Sequence, residues 1–395
     1  MQIEQLRIRN FRALRDVHIR NIPRLAIFIG ANGTGKSTLL SVFGFLRDAM
    51  NTNVKTALYK FGGSRGIDEV RTRNSTGPIS IEVKYRVEPG KPLVTYLLEI
   101  DKKGNQPIVS REILSYRRFQ RGNPWHFLDF SDGQGSAVTN EADTVQNESE
   151  LQRDNQTLRS PDLLAIKGLS QFQRFPAVVA LGQLFERWHV SDFHINQARH
   201  EQEIGYAEHL SREGENLPLV IEYLHNEHRQ IFRTILEKLR RRVPGISKVE
   251  ARQTEEGRIL LRFQDGTFED PFHARHVSDG TIKMLAYLTL LYDPDPYPLL
   301  CVEEPENQLY PMLLEELAEE FRSYASQGRQ VFISTHSPDF LNAANIGEVF
   351  WLRKEQGHTK IERARDNDQV ADYMRNGDKM GYLWKQGLFE GLNPQ

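Results

Sequence analysis

The chain has 395 residues, 39% hydrophobic and 26% charged, and its 51 Lys and Arg nearly balance 53 Asp and Glu for a formal charge of −2. That length holds one large domain or two lobes with ample core, and the charge balance excludes a global basic field drawing the protein to nucleic acid, leaving only local patches. A single cysteine, Cys301, excludes an internal disulfide framework, and no apolar run is long enough to span a bilayer; the expectation is a soluble cytoplasmic protein.

Residues 2–29 read as two or three strands: Ile3 to Ile8, Val17 to Arg20, and the unbroken apolar run Leu25 to Ile29, which has the character of a buried strand. Next comes Gly30-Ala31-Asn32-Gly33-Thr34-Gly35-Lys36-Ser37, a match at every fixed position to the phosphate-loop pattern G-x-x-x-x-G-K-[ST]. The segment from Ser37 and Thr38 to Leu46 can continue as a helix whose N-terminus meets the loop. A helix N-terminus offers unpaired N–H groups and partial positive charge, which suits a polyphosphate. Glycines at 30, 33 and 35 let the backbone approach the phosphates. Lys36 would reach the β and γ oxygens, and the Ser37 hydroxyl would ligate Mg²⁺. Nucleotide contacts are therefore expected from Gly30, Ala31, Asn32, Gly33, Thr34, Gly35, Lys36, Ser37 and Thr38.

From Ile79 to Phe130, short runs of alternating polar and apolar residues broken by turn sequences predict a β-meander. Residues 131–162 are rich in Ser, Gln, Asn, Gly and acids and lack aromatics, the composition of an exposed, mobile insertion. A helix is expected over Ala177–Trp188. Another follows Pro218, with Val220, Tyr223, Leu224, Ile231, Ile235 and Leu239 on one face, and ends at Pro244-Gly245. Strands follow at Lys248–Gln253 and Arg258–Phe263. No sustained heptad pattern supports a long coiled coil.

Three signals lie downstream. Val277-Ser278-Asp279-Gly280-Thr281 opens a helix over Ile282–Tyr292, where Ser278 or Asp279 would serve as a plain N-cap or Ser278 and Gly280 as a second anion site. Pro298 to Val302 is an apolar strand ending in Glu303-Glu304-Pro305-Glu306-Asn307. Beside a phosphate-loop strand, its tip would point at the γ-phosphate, with Glu303 in the Mg²⁺ shell and Glu304 as general base. Val331 to Thr335 is a further strand, ending at His336, whose imidazole can bond the γ-phosphate and sense its loss.

Together, the phosphate loop, Ser-Asp-Gly-Thr, Glu-Glu-Pro-Glu-Asn and Ser-Thr-His-Ser-Pro resemble the ABC-type ATPase heads of the RecF/SMC/OLD group. Asn10-Phe11-Arg12 and Leu210 to Leu217 resemble stand-alone members. The resemblance covers almost the whole chain. It implies an α/β fold: an ABC-type P-loop ATPase head with a mixed or parallel core sheet flanked by helices, an antiparallel β lobe and a helical lobe with a flexible insertion. The implied division is an N-terminal ATPase lobe at 1–130, the insertion at 131–165, a helical and strand lobe at 166–265, a C-terminal ATPase lobe at 266–363 and a tail at 364–395. It also implies ATP and Mg²⁺ as ligands and a head-to-tail homodimer, or a higher homo-oligomer, enclosing two ATPs. Ser278 and Gly280 would then touch the partner's nucleotide, and Arg12 phosphate or base. The sequence departs from the group in reading Ser-Asp-Gly at the signature and in placing Glu303 where Asp is commoner. The glutamine that touches Mg²⁺ in such heads has no evident counterpart.

Two functions fit. One is an ATP-dependent sensor or scaffold for a separately encoded effector, such as a toprim-type nuclease, in bacterial anti-phage defence. The other is a RecF-like repair clamp on duplex DNA. An OLD-type fused nuclease does not fit the short stretch 337–395. The apolar segment Met380–Phe389 would either dock a partner or pack on its own core, and Arg117-Arg118 and Arg240-Arg241-Arg242 would either meet phosphate backbone or lie solvated. No membrane partner is expected.

Overall fold

The computed structural model describes residues 1–118, 122–141, 145, 147–266 and 270–389. Strand Leu25–Gly30 is buried at every residue because it lies in the middle of a six-stranded sheet. The order is Trp188–Ser191, Leu299–Glu303, Gln330–Thr335, Leu25–Gly30, Val349–Glu355, His358–Arg363. The first five strands run parallel and the last returns antiparallel. Alternation divides the central strand between two cores. Ala26 and Phe28 enter one; Leu25, Ile27 and Ile29 enter the other.

The first core is closed by helix Lys36–Asn51 and by an eight-stranded antiparallel sheet. That sheet starts with Gln2–Phe11 and Leu14–Arg20 and continues through the expected meander, Ile79–Arg86, Leu93–Lys103, Gln106–Tyr116 and Trp125–Ser131. The second core is closed by helices Asp279–Leu291 and Met312–Ser326 and by a small sheet built on Ile246–Gln253 and Arg258–Asp265. This is the expected mixed core sheet between helices with an antiparallel lobe.

Three expectations are corrected. The polar stretch 131–165 is not simply a mobile insertion: Gln134–Val138 and Arg153–Thr157 pair with each other and extend the antiparallel sheet. Backbone pairing needs no apolar run, and Ala137, Val138, Val145 and Leu151 supply the buried residues; residues 142–144 and 146 lie outside the described residues. The helix after Pro218 is two helices, Leu217–Glu227 and Arg229–Arg242, broken at His228 (φ −129°), whose ring meets the Tyr223 hydroxyl at 2.8 Å. The helix expected over Ala177–Trp188 spans Pro176–Glu186, and Trp188 instead begins a strand.

The apolar tail packs on its own core. Helix Met380–Lys385 lies against Pro338–Leu341, with Met380, Leu383 and Phe389 each 1% exposed. Residues 390–395 of the tail lie outside the described residues. Among the described residues, no helix is long and apolar enough to cross a membrane.

Candidate active site

Two parallel pairings set the site. Thr335 lies beside Ile29, so His336 follows at the level of Gly30; Glu303 lies beside Ser334, so Glu304 follows at the level of Thr335. Loop, histidine and carboxylates thus leave the same edge of one sheet on neighbouring strands, as crevice sites of parallel sheets do.

The phosphate loop turns through positive φ at Gly33 (78°) and Gly35 (104°). At Gly30 the constraint is space: a Cβ would stand 2.5 Å from Thr34 Oγ1 and 2.6 Å from the Leu352 carbonyl. Thr34 Oγ1 donates to Ala31 O at 2.8 Å, while Asn32, Gly33 and Ser37 are exposed. Lys36, 6% exposed, folds back onto the carbonyls of Gly30 (2.7 Å) and Ala31 (3.2 Å). Burial draws its pKa down, partly offset by Glu304 and Glu306. Helix Lys36–Asn51 begins at the loop with no side-chain cap, so its first N–H groups are unclaimed by any capping side chain.

Burial and the neighbouring Asp192 and Glu304 raise the Glu303 pKa, against the pull of Ser37 and Arg212. Glu304 takes a left-handed backbone (φ 41°) with its N–H on the Ser334 carbonyl at 2.9 Å. Its carboxylate accepts from Asn307 Nδ2 at 2.9 Å and meets His336 Nδ1 at 3.2 Å. Burial would raise its pKa, but Asn307, His336 and Lys36 outweigh that and hold it below the usual carboxylate value. Glu306, 8% exposed, fixes the histidine by accepting from Thr335 Oγ1 (2.7 Å) and His336 N (2.9 Å).

The donor set fits ATP with Mg²⁺. A hydroxyl, Ser37, near one carboxylate, Glu303, suits an ion held mostly through substrate phosphates, and no all-protein cage of three or more His, Cys, Asp or Glu occurs among the described residues. Glycines whose missing Cβ atoms keep the loop tight, with Lys36 inside, suit a triphosphate.

Arg12 is not brought onto the loop by any bond. Its guanidinium donates to the Phe61 carbonyl and lies 5.9 Å over the Phe61 ring. Its neighbour Ala13, however, accepts from Thr359 N at 3.0 Å, and Thr359 Oγ1 donates to Thr34 O at 2.7 Å. Ser278 caps its helix, accepting from Thr281 N at 3.3 Å, and Gly280 packs where a Cβ would meet the Gln308 carbonyl at 3.0 Å. Of the basic runs, Arg242 pairs with Glu316 and Glu320, and Arg118 lies over the Trp125 ring.

Sequence reasoning missed three residues. Asp192, at the end of strand Trp188–Ser191, reaches the level of Glu303 because Ser191 pairs with Val302. Lys283, 3% exposed on helix Asp279–Leu291, points its Nζ at the Glu304 carbonyl (3.4 Å); burial lowers its pKa to about 8 against Glu306, Asp192 and Glu304. Arg212, inside the segment Leu210–Leu217, stands 3.9 Å from Glu303. Asp192, Lys283 and Glu303 line one cavity of about 430 Å³.

Residues 25–342, most of the chain, match the AAA_21 family model, "AAA domain, putative AbiEii toxin, Type IV TA system". The chain belongs to this AAA_21 family. Its fold is that of an SMC head: it aligns over 92% of its length with 97% of an SMC head solved bound to the C-terminal winged-helix domain of ScpA, at TM-score 0.54 and 12% identity. Two curated proteins are locally similar. An uncharacterized Methanocaldococcus jannaschii protein, MJ1542, is 35% identical over 81 residues, 20% of this chain and 10% of the relative. The DNA replication and repair protein RecF of Paenarthrobacter aurescens is 27% identical over 93 residues, 23% of each. The matches thus span a tenth and under a quarter of those relatives' lengths.

Proposed function

We infer that this AAA_21 protein binds ATP with Mg²⁺ and hydrolyses it as a head-to-tail dimer whose closure signals to a separately encoded effector in bacterial anti-phage defence. The observation that carries the ATPase reading is the alignment of Gly30, Glu304 and His336 on adjacent parallel strands. In this reading the loop N–H groups and Lys36 hold the β- and γ-phosphates, with Ser37 and Glu303 placing Mg²⁺. The ion would neutralise charge on the phosphates. Glu304, kept ionised by Asn307, His336 and Lys36, takes the proton of the attacking water, and His336 meets the γ-phosphate.

The dimer rests on the resemblance. Ser278 and Gly280 do not reach their own chain's loop by any bond and would complete the partner's site. The effector reading draws support from the toxin–antitoxin label of the family and from the solved head that binds a separate winged-helix protein. The local RecF similarity favours a second reading, a clamp on duplex DNA.

Turnover per molecule measured across protein dilution, with DNA binding measured across salt with and without ATP, tests both. Loss of turnover on dilution and no ATP-dependent DNA affinity, with a nuclease co-purifying, is the result expected. A steep salt slope appearing only with ATP would select the clamp. Undiminished turnover in true monomers would remove the dimer, and no turnover under any condition would remove the ATPase.

A further inference from the structure

Between strand Leu14–Arg20 and the hairpin Val349–Arg363 lies a second cavity, of about 530 Å³. It sits toward the end of the hairpin away from the phosphate loop: Leu352 pairs with Gly30, whereas the cavity begins at Phe350, which pairs with Phe28 and Arg363.

Four basic side chains face it, His18, Arg20, Arg363 and Arg365, against the acids Glu362 and Asp366. Both acids are engaged, Glu362 by Arg353 at 2.9 Å and Asp366 by Arg365 at 3.4 Å. Arg20 and Arg363 have no carboxylate within ion-pair distance among the described residues. Arg20 turns its Nε to the His18 ring, 3.3 Å away. Arg363 gives one N–H to the Gly347 carbonyl at 3.2 Å, lies 5.0 Å over the Phe350 ring, and leaves its Nε buried without an acceptor. Burial and the neighbouring Arg365 pull the Arg363 pKa down. The indole N–H of Trp351, 3% exposed, also lacks an acceptor.

An uncompensated, partly buried guanidinium facing like charges is costly, and an anion relieves that cost. The cavity exceeds what a bare oxyanion fills and is of ligand size, with Phe350 and Trp351 in its wall. We propose that this cavity binds a nucleotide unit, with Arg363 and Arg20 on the phosphate and the rest of the cavity holding the base or sugar. The site is separate from the ATP site and does not rest on the proposed ATPase function. Its source is either a free nucleotide or a unit of a nucleic-acid strand.

The test uses the full-length Lys36→Ala protein, so that the phosphate loop does not contribute, with inorganic phosphate, AMP and a fluorescein-labelled oligothymidylate as probes. AMP or the oligonucleotide should bind, at least tenfold more tightly than inorganic phosphate, and lose tenfold or more in affinity when Arg20→Gln or Arg363→Gln is added. Arg20 is exposed, so its variant decides the matter if Arg363→Gln fails to fold. An oligonucleotide bound much more tightly than AMP, with steep salt dependence, assigns a nucleic-acid strand; equal affinities assign the free nucleotide. Absence of binding by all probes, indifference to both arginine variants, or phosphate bound as tightly as AMP overturns the proposal.

Discussion

His336 Nδ1 stands 3.2 Å from Glu304 Oε1, while Glu306 holds the backbone N–H of the same histidine at 2.9 Å. The imidazole and the carboxylate are thereby oriented toward each other before any nucleotide arrives. Glu304→Gln can keep a hydrogen bond between its side-chain amide and His336 but removes the proton acceptor. Turnover should fall by about 10²–10⁴-fold with ATP affinity retained, as read by phosphate release and calorimetric binding. Normal turnover by this variant would exclude Glu304 as the base.

Lys36 spends its charge on two loop carbonyls. Lys36→Ala should cost the nucleotide-free protein only about 1–2 kcal/mol, because two neutral acceptors lose one donor. ATP affinity should drop by two orders of magnitude or more, since charge-assisted bonds to phosphate disappear. Thermal unfolding and calorimetry separate the two effects. A variant that binds ATP normally would contradict the assignment.

Lys283 should impose a pH signature. Its folded pKa, about 8, lies below the ordinary lysine value of 10.5, so the unfolded chain binds the extra proton between those values and stability contributed at this position rises with pH. The burial cost is fully present below pH 8 and relieved on approaching pH 10.5, a change on the order of 3 kcal/mol at about 1.36 kcal/mol per unit. Denaturant midpoints of the wild type relative to Lys283→Met should climb over that window. A pH-independent difference would mean that Lys283 is not held charged in a dry site.

Thr359 supports the loop from the far hairpin, and a Cβ on Gly35 would stand 2.4 Å from its hydroxyl. Thr359→Val keeps the volume but strips the Thr34 carbonyl of its partner. The expected loss is about 1–3 kcal/mol, with weaker ATP binding because the loop loses its brace. Unchanged stability and affinity would show that the bond carries nothing.

Sharing of sites between copies is tested by mixing. Lys36→Ala and Ser278→Arg proteins should each be inactive alone, and a mixture should regain part of the wild-type turnover, because a mixed pair contains one undamaged composite site. No recovery, with mixed pairs shown to form, would place the loop and the Ser278 motif of one chain together in that chain's own site.

The loop was legible because its geometry is local: the spacing of Gly30 to Ser37 between an apolar strand and a helix marks the turn by itself. The carboxylates and His336 were legible because each ends an apolar strand, and parallel strands deliver their ends to one edge. Asp192 and Lys283 were not, since neither belongs to a spaced motif. One joins the site by pairing of Trp188–Ser191 with Leu299–Glu303, the other by the packing of a helix otherwise buried for its apolar residues. The strands Gln134–Val138 and Arg153–Thr157 escaped because polar sequence hides backbone pairing. The break at His228 escaped because apolar spacing continues across it.

The strand that carries the phosphate loop has as neighbours Gln330–Thr335 and Val349–Glu355, both far downstream of it. A nascent chain emerging from the ribosome therefore cannot complete this strand's pairing until those segments have been synthesised. The N-terminal half must wait, with Leu25–Ile29 lacking partners. Termination before the hairpin Val349–Arg363 should yield aggregating fragments rather than a partially folded, soluble core.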